Sequence, residues 1–182
     1  MEETVASLSL AVHEDLELKK NRLSPLPGND SGKRICVVTG VHGDELEGQY
    51  VVYLLNRRIQ KHPELLTGTV DIYPAINPLG INTIQRGIPL FDLDMNRIFP
   101  GDTDGPMAEY YAHAVVEDIR GADIAIDIHA SNIYLRELPQ VRISEETAPA
   151  LVPLAEQLNV DFVWVHSAAT VLESTLAHSL NV

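Results

Sequence analysis

The segment that most restricts the fold is Ile35 to Thr39, a short, continuous and largely β-branched run that stops at Gly40-Val41-His42-Gly43. A strand of this kind has apolar side chains on both faces, so both faces need cover. The pattern after it changes period. From Glu45 to Gln60 the apolar residues fall at 51, 54, 55 and 59, a helical spacing. Thr69 to Tyr73 and Ile124 to Ile128 read as further short strands, as does Asp161 to Val165. Pro106 opens a helix that runs to Gly121, with proline at its start and glycine past its end. Residues 145–158 read as a helix despite Pro149 and Pro153, and 174–180 as a short one. A strand is expected within 133–143. The first 24 residues alternate loosely and fit one or two strands, and the turn formers of 24–33 make a loop. Strands alternating with helices indicate an α/β fold with a layered sheet. The 182 residues fit a single domain.

Composition narrows the function classes. The net charge of −13 argues against a nucleic-acid surface, which needs clustered Lys and Arg. No apolar run approaches 18 residues, so no membrane span is expected, and the acidic N-terminus lacks the basic start of a secretory signal. Cys36 is the one cysteine. It excludes an internal disulfide framework, fits a reducing, cytoplasmic setting, and reads as a buried inert thiol because no basic neighbour activates it. Trp164, inside Phe162-Val163-Trp164-Val165, reads as core.

Two histidines sit where strands end, His42 after Ile35–Thr39 and His129 after Ile124–Ile128. Ligands of open α/β sheets bind outside the carboxyl ends of strands, so both imidazoles could face one crevice. Glu45 lies three residues after His42, about one turn on at a helix start. Two nitrogens, one carboxylate and an open fourth position are what a catalytic zinc site uses. His-x-x-Glu alone is weak, since a chain of this composition contains it by chance about half the time. His42 as a helix-capping turn residue, and His129 as a satisfied strand-end histidine, are the plainer readings of each motif taken alone.

Residues 74–104 form a long segment with little period, a length that is usually functional in a compact domain. It carries Asn77-Pro78, then Arg86, then Asp94-Met95-Asn96-Arg97. Two arginines in an acidic chain suggest an anion pocket, because guanidinium groups grip carboxylates bidentately. The alternative is that Arg86 and Arg97 are loop residues paired with Asp92 or Asp94.

Taken in order, Thr39-Gly40-Val41-His42-Gly43-Asp44-Glu45, Asn77-Pro78, Asp94-Met95-Asn96-Arg97 and Asp127-Ile128-His129 resemble the succinylglutamate desuccinylase/aspartoacylase family, a branch of the zinc carboxypeptidase superfamily. The likeness is good over residues 33–135 and looser at the flanks. It implies a three-layer α/β/α fold with a mixed, mostly parallel sheet, and one Zn2+ per chain held by His42, Glu45 and His129. It implies that Arg86 polarises the scissile carbonyl, that Asn96 and Arg97 bind the free carboxylate of a small-molecule substrate, and that Asp94 accepts the other N–H of His42. Asp127 shares a strand face with His129 and is a weaker candidate for the same role there; the competing reading is a strand-end acid.

The resemblance also implies a general-base glutamate on a later strand, beyond Val182, so residues 1–182 read as a zinc hydrolase domain lacking its C-terminal part. Glu173 does not match that motif and reads as a surface helix residue. N-acyl amino acids are the expected substrates, with short peptides as the carboxypeptidase alternative. Two competing functions are a nucleotide-binding domain and a non-catalytic metal-binding module. Gly40, Gly43 and Gly48 do not have the Gly-x-Gly-x-x-Gly spacing, and no Gly-Lys-Ser/Thr occurs.

Overall fold

The computed structural model of the protein describes residues 1–89, 91–167 and 174–180. Seven strands and five α-helices are described. The strands are β1 (Glu2–Ser9), β2 (Asp15–Leu23), β3 (Arg34–Thr39), β4 (Thr69–Tyr73), β5 (Ile124–Ile128), β6 (Gln140–Ser144) and β7 (Phe162–His166). The helices are α1 (Glu47–Lys61), α2 (Pro78–Thr83), α3 (Met107–Ile119), α4 (Ala148–Ala155) and α5 (Leu176–Leu180). Glu173 lies outside the described residues.

The main sheet has the order β1-β2-β4-β3-β5. β3 pairs in parallel with β4 on one side and with β5 on the other. β1 with β2 and β2 with β4 are antiparallel. The sheet is therefore mixed, which corrects the expectation of a mostly parallel one. The N-terminal residues form a hairpin that extends the parallel part antiparallel, and loose alternation over 1–24 does not encode strand direction. β6 and β7 pair in parallel with each other as a separate two-stranded sheet.

β3 is covered as its sequence requires. Cys36 and Val38 lie in a large buried cluster with Leu18, Tyr73 and the α3 residues Tyr111, Ala112, Val115 and Ile119. Their neighbour Val37 belongs to a different cluster with Ile72 and the α1 residue Val52. Successive residues thus reach opposite faces of the sheet. Cys36 is fully buried, and burial raises its thiol pKa, as an inert thiol requires. Trp164 is 51% exposed and not core. It sits on the small β6–β7 sheet with the Arg142 guanidinium 5.3 Å above its ring.

The segment 74–104 is more ordered than its composition suggests. Asn77 caps α2, its Oδ1 accepting from Gly80 N at 2.8 Å, with Pro78 at the first helical position. A short 3-10 turn, Met95–Arg97, is capped in the same way by Asp94.

One buried ionic group ties the hairpin to the parallel strands. Asp71 on β4 is fully buried and takes a bidentate contact from Arg22 on β2, at 2.8 and 2.7 Å. Lys20 Nζ lies 3.6 Å away, and also binds Asp118 of α3. Removing one partner from such a group leaves buried charge uncompensated. Asp71→Ala is expected to cost about 3–5 kcal/mol of stability, read as a lowered urea midpoint at unchanged slope. A loss under about 1 kcal/mol would show that the group contributes little.

Candidate metal centre

The carboxyl ends of β3 and β5 lie side by side, with Thr39 opposite Ile128 in the parallel register. The chain leaves β3 through Gly40, whose φ of +68° favours glycine. A Cβ there would stand 2.6 Å from Ile81 Cδ1. Gly43 is more constrained still, since a Cβ would stand 2.0 Å from the carbonyl carbon of Gly80. The Gly43 amide donates to the carbonyls of Gln85 and Arg86, at 3.1 and 3.3 Å. These contacts hold His42 in a tight turn and bring Arg86 beside it.

Helix α1 begins at Glu47, with Leu46 at the N-cap, so Glu45 precedes it. The expectation that Glu45 sits on the helix start is corrected: the i, i+3 spacing acts across a turn. The donor atoms of His42, Glu45 and His129 lie within 4.8 Å of one another. His42 Nδ1 is 2.7 Å from Glu45 Oε1, and His129 Nδ1 is 2.9 Å from Glu45 Oε2. The two Nδ1 atoms are 3.1 Å apart. His42 and Glu45 are buried, and the His129 side chain is 31% exposed.

The outer ring nitrogens are both engaged. His42 Nε2 is 2.9 Å from Asp94 Oδ1, and His129 Nε2 is 2.8 Å from Asp127 Oδ2. A carboxylate at each Nε2 favours the tautomer that carries its proton there. Both Nδ1 lone pairs then point inward, at the carboxylate of Glu45. Three lone-pair donors facing one another at such distances repel unless a proton or a metal ion lies between them. Two imidazole nitrogens, one carboxylate and an approach past a partly exposed imidazole form a donor set that suits zinc.

Burial alone would raise the Glu45 pKa, but contacts from His129, His42 and the Ala130 amide, the last at 2.8 Å, lower it to about 2. Burial disfavours the charged form of His129, yet Asp127 and Glu45 on either side outweigh that and raise it to about 10. Asp94 is also held low; burial opposes its charge, and the hydrogen bond with His42 prevails.

The structure brings the remaining residues expected from sequence to the same place. Arg86 Nη1 donates to Glu45 Oε1 at 3.1 Å, and its Nη2 to Asp94 Oδ2 at 3.3 Å. Arg97 Nη1 lies 4.0 Å from Asp94 Oδ2 and donates to the Asn96 carbonyl at 2.7 Å. Asn96 donates through its backbone amide to Asp94 Oδ1, and its own Oδ1 accepts from Leu176 N at 3.0 Å. Two features escape sequence reasoning. The Ala130 amide has no side-chain signal to announce it, and Leu176 is 80 residues from the asparagine it binds.

Fold and site together define an α/β protein with a candidate mononuclear metal centre at the ends of two parallel strands. The chain belongs to the succinylglutamate desuccinylase/aspartoacylase family: residues 31–181 match the succinylglutamate desuccinylase/aspartoacylase catalytic domain. It is 30% identical over 112 residues to an N-alpha-acetyl-L-2,4-diaminobutyric acid deacetylase of Halomonas elongata, covering 59% of this chain and 31% of that protein. Among solved structures, a succinylglutamate desuccinylase/aspartoacylase of Rhodobacter sphaeroides is 28% identical with a TM-score of 0.80, covering 99% of this chain and 54% of that one. A product-bound ectoine utilization protein of Ruegeria pomeroyi shares the fold at 22% identity, with a TM-score of 0.77 over 94% of this chain and 54% of that one. The chain thus spans about a third of the curated relative and about half of these solved structures.

A proton on His129 has to leave before its Nδ1 can bind a metal, which sets the pH dependence. With its pKa raised to about 10, His129 is charged at neutral pH, while Glu45, near 2, is already ionised. Metal binding then releases about one proton, so affinity rises with pH. Zinc titrations against a competing chelator are expected to show roughly tenfold tighter binding per pH unit from 6 to 8. A flat profile would contradict this assignment of the proton.

Proposed function

We propose that the chain carries the metal centre of a zinc-dependent hydrolase that cleaves the amide bond of an N-acyl amino acid. The observation that carries this reading is the inward convergence of His42, Glu45 and His129 with both outer nitrogens held by carboxylates. The name of the Halomonas relative, a deacetylase of an acetylated diamino acid, supports the reaction class. A three-layer, carboxypeptidase-like arrangement of the domain is supported by the separate clusters on the two faces of β3.

Zinc at such a site supplies a Lewis acid for the carbonyl and lowers the pKa of a water. The chain's own residues do the rest. Asp94 and Asp127 fix the two imidazoles in orientation and tautomer. Arg86 stands at the edge of the triad and offers N–H donors where negative charge develops on the carbonyl oxygen. The Arg97 guanidinium, 45% exposed, is presented to a substrate carboxylate. Asn96 Oδ1 is occupied by Leu176 N, so its Nδ2 is the donor offered to substrate. Held by its carboxylate, the substrate keeps its amide near attack geometry.

A base has to take the proton of the attacking water. Among the described residues, Asp94 and Asp127 are the carboxylates that touch the triad from outside it, and each is committed to an imidazole. This reading therefore takes the base from outside the described residues and treats 1–182 as part of a larger hydrolase domain. The half-length match to the solved relatives supports it, as does β5, whose outer edge pairs with no strand among the described residues. A single buried cysteine supports a cytoplasmic setting.

Substrate binding and turnover separate the parts of the proposal. Calorimetry on the zinc-loaded chain is expected to show N-acetyl or N-succinyl amino acids binding, and their carboxamide analogues not. Arg97→Ala is expected to weaken binding about 10–100-fold, the value of hydrogen bonds to a charged group. Where amine release is measurable, Arg86→Ala is expected to lower kcat by about 10²–10³. Equal binding of acid and carboxamide would overturn the carboxylate assignment. Metal binding with no affinity for any N-acyl amino acid would favour a non-catalytic module.

A further inference from the structure

Arg86 is flanked in the chain by two apolar side chains that the fold leaves in water. Ile84, just before it, is the C-cap of α2 and lies in the left-handed region, with φ +53° and ψ +49°. A β-branched residue is rare there, because its Cβ crowds the following carbonyl. The side chain is 53% exposed, so packing does little to offset the strain. Strain held without a packing gain is a mark of functional positions. The backbone here is firmly placed, since the carbonyls of Gln85 and Arg86 both accept from the Gly43 amide beside His42.

Past Arg86 the chain makes a short hairpin. Ile88 and Leu93 form its antiparallel bridge, the Ile88 amide donating to the Leu93 carbonyl at 2.9 Å. Ile88 is buried in the large core cluster, and Leu93 packs against it. The base of the hairpin is in the site itself: Arg86 donates to Glu45 Oε1 at 3.1 Å and to Asp94 Oδ2 at 3.3 Å. The tip carries Phe91, whose amide donates to the Ile88 carbonyl at 3.3 Å and whose side chain is nonetheless 69% exposed. Asp92, the next residue, is exposed as well. Chain length limits how far these side chains can stand from the site. The Cα of Ile84 lies within about 7 Å of that of Arg86, and the Cα of Phe91 within about 11 Å of that of Asp94. Both are in reach of a substrate held between Arg86 and Arg97.

We propose that Ile84 and Phe91 are specificity-determining residues, selecting a substrate that carries an uncharged apolar group in its acyl chain or its amino-acid side chain. This deepens the reaction proposed above and rests on it. Contact with such a group takes both side chains out of water, a gain that a charged group cannot supply. Asp92 at the same tip acts against a second substrate carboxylate by like charge, so a succinyl group is selected against.

Calorimetry on the zinc-loaded chain with two series of ligands tests it. In one, glycine carries an acetyl, butanoyl or hexanoyl group; in the other, an acetyl group sits on glycine, alanine or leucine. One series is expected to tighten by about threefold per added carbon, and which one does so shows the end of the substrate that meets Ile84 and Phe91. N-succinylglycine is expected to bind at least about tenfold more weakly than N-butanoylglycine. In Phe91→Ala the gain is expected to fall below about twofold per carbon, with an unchanged urea midpoint because the ring is mostly in water. Ile84→Gly is expected to reduce the gain in the same way while raising the urea midpoint, since glycine adopts the left-handed region without strain. A lowered midpoint would make Ile84 a structural residue and overturn its part. Two flat series in the unaltered chain, a gain that survives in both variants, or a succinyl group bound as tightly as butanoyl each overturn the proposal and leave the reaction class standing. Failure of every ligand to bind, N-acetylglycine included, overturns the reaction class and this proposal with it.

Discussion

The carboxylate of Glu45 is the point on which the site depends. It meets His42 Nδ1, His129 Nδ1, the Ala130 amide and the Arg86 guanidinium, four contacts from three different stretches of chain. Each contact stabilises the charged form, and together they outweigh the cost of burying it, which is why the group stays ionised well below the usual carboxylate range. A buried anion with this many donors is costly to leave half-satisfied. The loops after β3 and β5 and the segment carrying Arg86 are therefore held in one arrangement by a single group.

The scaffold makes that convergence possible. Parallel pairing of β3 with β5 places Thr39 beside Ile128, so the two chains leave the sheet at neighbouring points. Glycine at 40 and at 43 lets the first chain turn back hard against α2. The second buried carboxylate, Asp71, lies in the body of the sheet. Its partners Arg22 and Lys20 come from the antiparallel hairpin, so it fastens the hairpin to the parallel strands. One anion organises chemistry at the strand ends, and the other organises the sheet behind them.

Much of this was legible in the sequence, for physical reasons that differ by residue. The runs 35–39 and 124–128 announced buried strands because apolar, β-branched stretches need cover on both faces. His42 and His129 are legible through their position at strand ends, and Glu45 through its spacing, although the residue lies in a turn before α1 and not in the helix. Strand direction was not legible, because the side-chain period of two is the same in either direction. Hence the hairpin's antiparallel pairing appeared only in the structure. α2 was hidden within a segment poor in periodicity, since a six-residue helix is fixed by the Asn77 cap and Pro78 more than by an apolar stripe. Asp127 was ranked below Asp94, yet the two make equivalent contacts, because an i, i+2 pair at a strand end can fold together where the strand stops. The apolar neighbours of Trp164 suggest core, and a local window does not reveal that β7 pairs only with β6 among the described residues.

The claim that carries the account is that His42, Glu45 and His129 form one metal site. Cobalt substitution tests it most directly, because Co2+ in a site of four or five nitrogen and oxygen ligands absorbs visibly where the free hexa-aqua ion barely does. Titration of the metal-free chain with Co2+ is predicted to build intense visible bands that saturate at one equivalent and disappear on adding zinc. In His42→Ala, Glu45→Ala or His129→Ala, the same titration is predicted to give only the weak spectrum of the free ion. Bands that survive the loss of any one of these three residues, or a wild-type chain that shows none, would contradict the account.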